Sequence, residues 1–319
     1  DTMNKPLDNV TPFPGKGGAP FAAQDGRIID LMHRDPGNRG FISSLPPEPL
    51  DAVVRELLRA KRALIVTGFP ILRCGGIGET DGPPGAANIG HALQALGCEV
   101  MFAVGVESYD AMRALTAHRC PGARVRVFNT GWREDAAYFL LESFQPTHVI
   151  SIERPGAARD GRYYSMRGDV LDPFVAPIEP LVRDAKCTTI AIGDGGNELG
   201  TADFRPYVEK HVANGAQVCA TTRADYTLGA GVSNWWSWGL AAALSLRCRK
   251  FLLPRPAVER TLVDLCNKAG LVDGVRHERC RSVDGIDMPY HYELLCALAK
   301  ILNEEGLFDD KPDFPIPVD

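Results

Sequence analysis

Cys187-Thr188-Thr189-Ile190-Ala191-Ile192 runs directly into Gly193-Asp194-Gly195-Gly196-Asn197-Glu198-Leu199-Gly200, and the reading of this stretch decides the fold. The first six residues have the apolar, β-branched character of a buried strand, and the glycines that follow permit an abrupt reversal. A second segment repeats the arrangement. Ala63-Leu64-Ile65-Val66-Thr67-Gly68 precedes the polar loop Gly78-Glu79-Thr80-Asp81-Gly82-Pro83-Pro84-Gly85. Both loops then stand at carboxyl ends of strands, where open α/β sheets hold their ligands. The expectation is that strands 63–68 and 187–192 are parallel members of one sheet, with their loops facing each other across a cleft.

Outward from these two strands the chain alternates. Further strands are expected at 99–104, 124–128, 148–152 and 217–221. Helical spacing of apolar residues marks 47–61, 86–96, 110–118, 134–144, 178–185, 203–213, 233–248, 256–269 and 291–305. Strands alternating with helices give βαβ units, so the predicted fold is α/β: a doubly wound, mostly parallel sheet in a Rossmann-like three-layer sandwich. Residues 1–26 are rich in Pro and Gly, a short helix is expected over 28–32, and Asp35 to Gly40 reads as a turn. The division is therefore an extended N-terminal arm over 1–46 and one α/β domain over 47–319.

Composition narrows the function classes. Of the 319 residues 45% are apolar and 24% charged, ordinary values for a soluble globular chain with a large core. A net charge of −5 provides no basic field for nucleic acid or an anionic membrane surface. No apolar run approaches the roughly 20 residues of a membrane span. The nine cysteines are scattered without a CxxC pair or zinc-like spacing, which favours nine free thiols in a reducing compartment, cytoplasmic or mitochondrial matrix. The expected partner is a small molecule, with the oligomeric state open between monomer and homo-oligomer.

The chemistry is concentrated in polar loops. The loop at 78–85 lacks both the GxGxxG pattern and a P-loop lysine, and Glu79 and Asp81 would repel a phosphate. They suit a cation, an amine or a proton in transit; an acidic helix cap is the plainer alternative. In the central loop Asp194 and Glu198 suggest carboxylates whose pKa values are tuned by burial and by each other. A divalent metal is a second use for the pair, but no histidine joins them, so neither metal nor cofactor is expected. Arg154, beyond strand 148–152, is placed to fork onto a substrate carboxylate or to pair internally with Glu153 or Asp194. Ser233 and Asn234 open a Trp-rich helix whose N-terminus could take an anion. Asp284 and His291 border a last polar turn, where a lone histidine is more often a cap or structural group than a catalyst. No GxSxG elbow or supported Cys/His pair marks a nucleophile.

These residues carry a resemblance. Thr67-Gly68-Phe69-Pro70, GETDGPPGA (78–86), SIERPGAARDGRYYSMRG (151–168), GDGGNELG (193–200), AGVSNW (230–235) and VDG (283–285) resemble, in order from about residue 47 to 300, the D-glutamate cyclases. The resemblance implies interconversion of D-glutamate and 5-oxo-D-proline plus water. Such a reaction needs a base for the ammonium, an acid for the departing oxygen and donors for the oxyanion. From residue chemistry, Asp81 and Asp194 would divide base and acid roles, tuned by Glu79 or Glu198. Arg154 would hold a carboxylate. Backbone N–H groups of 82–85 (Gly82, Gly85) and 195–197 (Gly195, Asn197), with Ser233 and Asn234, would serve the oxyanion; Thr67, Asp284 and His291 complete the expected lining. Two other classes remain open: a metal-dependent hydrolase or lyase on another small carboxylic acid, and a non-catalytic small-ligand-binding protein.

Overall fold

Six strands form one parallel sheet in the computed structural model, which describes residues 20–307. They are β1 (Arg62–Thr67), β2 (Glu99–Gly105), β3 (Arg124–Phe128), β4 (His148–Ile152), β5 (Thr188–Gly193) and β6 (Tyr226–Gly229). Their order across the sheet is β3-β2-β1-β4-β5-β6, the doubly wound order with its topological switch between β1 and β4. The register puts Thr67 opposite Ile152 and Ile152 opposite Ile192, so the three central strands end level with one another.

Both faces of the sheet are covered, which is why its strands read as continuous apolar runs. Ala63 and Ile65 of β1 face one core, and Leu64 and Val66 face the other. On the first face lie α1 (Ala22–Met32), α2 (Leu50–Arg59), α3 (Pro83–Ala95) and α4 (Tyr109–Arg119). The opposite core holds α5 (Asp135–Phe144) and α6 (Pro180–Arg183). Short α7 (Arg205–His211) and α8 (Gly215–Val218) lie near the β6 edge. The chain then returns to the first face as α9 (Ser233–Cys248), α10 (Pro256–Ala269) and α11 (Met288–Glu304). Helix α9 is buried along nearly all of its length, with Trp235, Trp236 and Trp238 at most 1% exposed, and it packs on α3, α1 and α11. Its tryptophans are core residues. No helix among the described residues is long and apolar enough to cross a membrane.

The structure differs from the expected elements at two places. The strand expected over 217–221 is instead helix α8 and an irregular segment, and the strand paired to β5 is Tyr226–Gly229. Val218, Cys219 and Ala220 are buried, so their apolar character is real, but an apolar triplet satisfies helix and strand equally. The helix expected over 28–32 starts at Ala22. Arg247 of α9 holds Asp25 at 2.6 Å and Asp51 at 3.0 Å and lies over the Phe21 ring, which anchors the first turn. Phe41 and Ile42 are also buried, against Phe204 and Val208. Of the arm expected to be extended, residues 20–46 are thus packed on the sheet domain; residues 1–19 lie outside the described residues.

Candidate functional site

Level strand ends place three residues around one crevice. Asp81 lies in the loop after β1, Glu153 is the first residue past β4, and Asp194 is the first past β5. Carboxylate oxygens of the three lie within 4.8 Å of one another, and all three residues are buried. They sit at the switch point, where the halves of the sheet diverge. A cavity of about 140 Å³ opens over Glu153 and Asp194, lined among others by Arg39, Glu79, Asn197 and Asp284. That is well below the roughly 300–1,000 Å³ of sites for drug-sized ligands, and it suits a molecule the size of an amino acid.

Each acid is held differently. Asp81 accepts the backbone N–H groups of Ser233 (2.9 Å) and Asn234 (2.8 Å) at the N-terminus of α9, and that of Gly82 (3.0 Å). The helix dipole and these donors favour its charge, while burial and Asp284 push its pKa well up. Glu153 takes a 2.5 Å hydrogen bond from the Ser233 hydroxyl, at a backbone φ of 45°. A non-glycine residue there is strained, and such strain gathers at functional sites. Burial first, then Glu198, Asp81 and Glu79, drive the Glu153 pKa well above the ordinary carboxylate value. Asp194 pairs with Arg39 at 2.8 Å, but burial still raises its pKa well above normal. Glu79 is raised in the same way by burial and by Asp284 and Asp81.

Arg39 bridges Asp194 and Asp284, the latter at 2.6 Å. Burial opposes its charge, yet Asp194, Asp284, Glu153 and Asp81 together keep it firmly protonated. Burial drives the pKa values of Glu79, Asp81, Glu153 and Asp194 well up, so these acids hold protons more tightly than free carboxylates do. The crevice can accept and deliver protons. The three clustered oxygens could also ligate a hard cation, one from each residue, although Arg39 already occupies Asp194.

Several expected site residues have other duties. Glu198 accepts the N–H groups of Asp194 (2.9 Å), Gly195 (2.6 Å) and Gly196 (2.7 Å), so it shapes the loop and is not free for proton transfer. The Gly195 and Gly196 donors are consequently unavailable to an oxyanion. Pro83 and Pro84 have no N–H to offer, and Gly82 and Gly85 donate to the Asn234 side chain at 2.9 and 2.8 Å. Asn234 also donates to the Thr80 carbonyl (3.0 Å) and so ties the first loop to α9. Gly85 must be glycine there, since a Cβ would come within 2.6 Å of Asn234 Oδ1. Asn197 lines the cavity while its amide donates to the Tyr164 carbonyl (2.8 Å). Thr67 Oγ1 is buried without a partner among the described residues, close against Gly82.

Arg154 does not face the cavity. It is fully buried, donating to Glu107 (2.7 Å) and to the carbonyls of Gly68 (3.2 Å) and Ala176 (3.0 Å). Glu107 is the internal partner, in place of Glu153 or Asp194. His291 is likewise structural. It receives Trp235 Nε1–H on Nδ1 (2.9 Å) and donates from Nε2 to the Ile286 carbonyl (3.1 Å), and burial lowers its pKa to about 4. Arg39 and Glu153 line the cavity, and motif reasoning passed over both as site residues. Glu153 was legible as the first polar residue past an apolar strand, but Arg39 had no such signal.

A family model described as D-glutamate cyclase-like, C-terminal, matches residues 28–299. The match begins ahead of residue 47, where the resemblance was first legible, and takes in Arg39. The mitochondrial D-glutamate cyclase of Homo sapiens is 34% identical to this chain over 233 residues, covering 68% of this chain and 38% of that protein. The chain thus spans about two fifths of the length of this relative.

Proposed function

The chain belongs to the D-glutamate cyclase-like, C-terminal family, and from that premise we propose that it is a D-glutamate cyclase, a hydro-lyase interconverting D-glutamate and 5-oxo-D-proline plus water. The observation that carries the reading is the trio of Asp81, Glu153 and Asp194 carboxylates gathered at the switch point. Cyclisation forms a bond from the α-nitrogen to the carbon of the γ-carboxyl group and breaks one carbon–oxygen bond at that carbon. The ammonium loses two protons overall, and the departing carboxyl oxygen gains two to leave as water. A crevice of acids with raised pKa values suits that exchange, because such groups both take and supply protons.

In this mechanism Asp81, fixed by three N–H donors, attracts the ammonium. Asp194, with its raised pKa, is a competent base for the proton the nitrogen must shed. Glu153, whose pKa burial drives well up, donates to the departing oxygen, and the Ser233 hydroxyl holds it in position. The base and acid roles expected to be divided between Asp81 and Asp194 thereby fall to Asp194 and Glu153. Holding the chain folded on itself supplies orientation worth up to roughly 7–11 kcal/mol in favourable intramolecular cases. The test is incubation with D- and L-glutamate and both 5-oxoprolines, read by chiral chromatography. Conversion confined to the D-series supports the reading; no conversion in either direction overturns it.

A metal-dependent hydrolase or lyase acting on another small acid is the second reading, favoured by the mutual spacing of the same three oxygens. Metal analysis of the purified protein, with activity before and after chelation, separates the two.

A further inference from the structure

The cavity walls carry two more arginines. Arg73 follows the short strand Pro70–Ile71, and Arg167 sits in the turn from Ser165 to Gly168. That turn is held by the Ser165 hydroxyl, which accepts the N–H groups of Arg167 and Asp169 at 3.2 Å each. Both arginine residues are exposed. Neither guanidinium has an ion pair or hydrogen bond among the described residues, although acidic Glu79 and Asp169 line the same cavity. Exposed arginines nearby do find partners: Arg276 holds Asp287 at 2.8 Å, and Arg162 lies 3.7 Å from Asp172.

The cavity is therefore polarised. Its floor is an excess of acids whose single cation, Arg39, is already shared by Asp194 and Asp284. A carboxylate that must stay ionised is repelled there and attracted to the rim. Cyclisation of a 2-aminopentanedioate consumes only the γ-carboxyl, leaving the α-carboxylate charged from substrate to product. We propose that Arg73 and Arg167 form the subsite for this spectator α-carboxylate, turning the amine and the γ-carboxyl inward to the acids. This rests on the cyclase reading of the floor. Guanidinium forks match a carboxylate in geometry as well as charge, so the pair selects an acid over its neutral amide.

The experiment compares the parent with the Arg73→Gln/Arg167→Gln double variant, and with Arg133→Gln as a distant exposed control. Binding of 5-oxo-D-proline and of its carboxamide is measured by titration calorimetry, beside kinetics on D-glutamate. The subsite requires the parent to bind the acid at least tenfold more tightly than the amide. The double variant must lose that preference, with KM for D-glutamate rising at least tenfold and kcat changing much less. Arg→Lys at both positions should recover part of the affinity, because charge remains without the fork. Equal binding of acid and amide by the parent, or an unchanged KM in the double variant, overturns the proposal. A parent that binds the acid through these arginines but converts no glutamate leaves the subsite standing and removes the cyclase reading. A parent that cyclises D-glutamate with no dependence on either arginine does the reverse.

Discussion

Asp194→Asn and Glu153→Gln separate chemistry from scaffold at the level of single residues. Each keeps the shape of the side chain and most of its hydrogen bonding but removes a titrating group. General acid–base transfer typically contributes 10²–10⁴-fold, so kcat should fall by about that factor in each, with the thermal midpoint within a few degrees of the parent. A variant that folds normally and turns over at near the parent rate would remove that residue from the mechanism. Arg154→Met should behave in the opposite manner. It strands the buried Glu107 carboxylate, and breaking such a pair costs about 3–5 kcal/mol, visible as a lowered denaturation midpoint. Glu153 and Arg154 show where the sequence was ambiguous. Neighbours past a strand end face opposite ways, so one of the two enters the crevice and the other the packed layer. Sequence alone names the pair but not which is which. Asp81 and Asp194 were legible because glycine-rich loops after apolar strands have few other places to go. The duties of Glu198 and Asn234 were not, because a side chain that satisfies its own backbone looks the same in sequence as one aimed at a ligand.

Among the elements, α10 meets α3 through a buried polar contact unrelated to the crevice. Glu259 accepts a hydrogen bond from Asn88 at 2.5 Å, and Asn88 accepts one from Arg119 Nε at 3.1 Å. Burial raises the Glu259 pKa to about 7, against about 4.3 for an unfolded glutamate. The native protein therefore binds this proton more tightly than the unfolded chain. Its stabilising effect is complete below about pH 4.3 and is lost as pH rises through about 7, an effect on the order of 3–4 kcal/mol. Glu259→Gln should be more stable than the parent at pH 8 and gain little at pH 5, measured by urea midpoints. The raised acids of the crevice add slope of the same sign, so the variant's pH dependence shrinks but does not vanish. If the two proteins differ equally at both pH values, the raised Glu259 pKa is wrong. The helices α2, α9 and α10 were readable from their apolar residues, whereas the 11-residue α1 was read only over its last five. The edge strand Tyr226–Gly229 was missed because its four residues merge into the glycine run that follows. Gly229 N–H leaves the ladder for Glu48 (3.0 Å), a contact no local pattern announces.

For the molecule as a whole, all nine cysteines are free thiols, and Cys98, Cys120, Cys219 and Cys266 are buried. Titration of the denatured protein without reductant should count nine; a shortfall of two, in protein kept from air, would reveal a disulfide. The doubly wound architecture was legible from strand–helix alternation, whereas the contribution of the N-terminal segment was not, since Arg39 lies in an aperiodic turn. That placement also has a consequence for synthesis. Arg39 precedes its partner Asp194 by 155 residues and Asp284 by 245. At about 5–20 residues per second, a ribosome reaches Asp284 roughly 12–50 s after Arg39. Throughout that interval the guanidinium lacks one or both of its carboxylates, whatever the strands behind it have already formed. A nascent chain can hold a sheet long before it holds a complete site, and a message broken before the codon for Asp284 yields a protein without one.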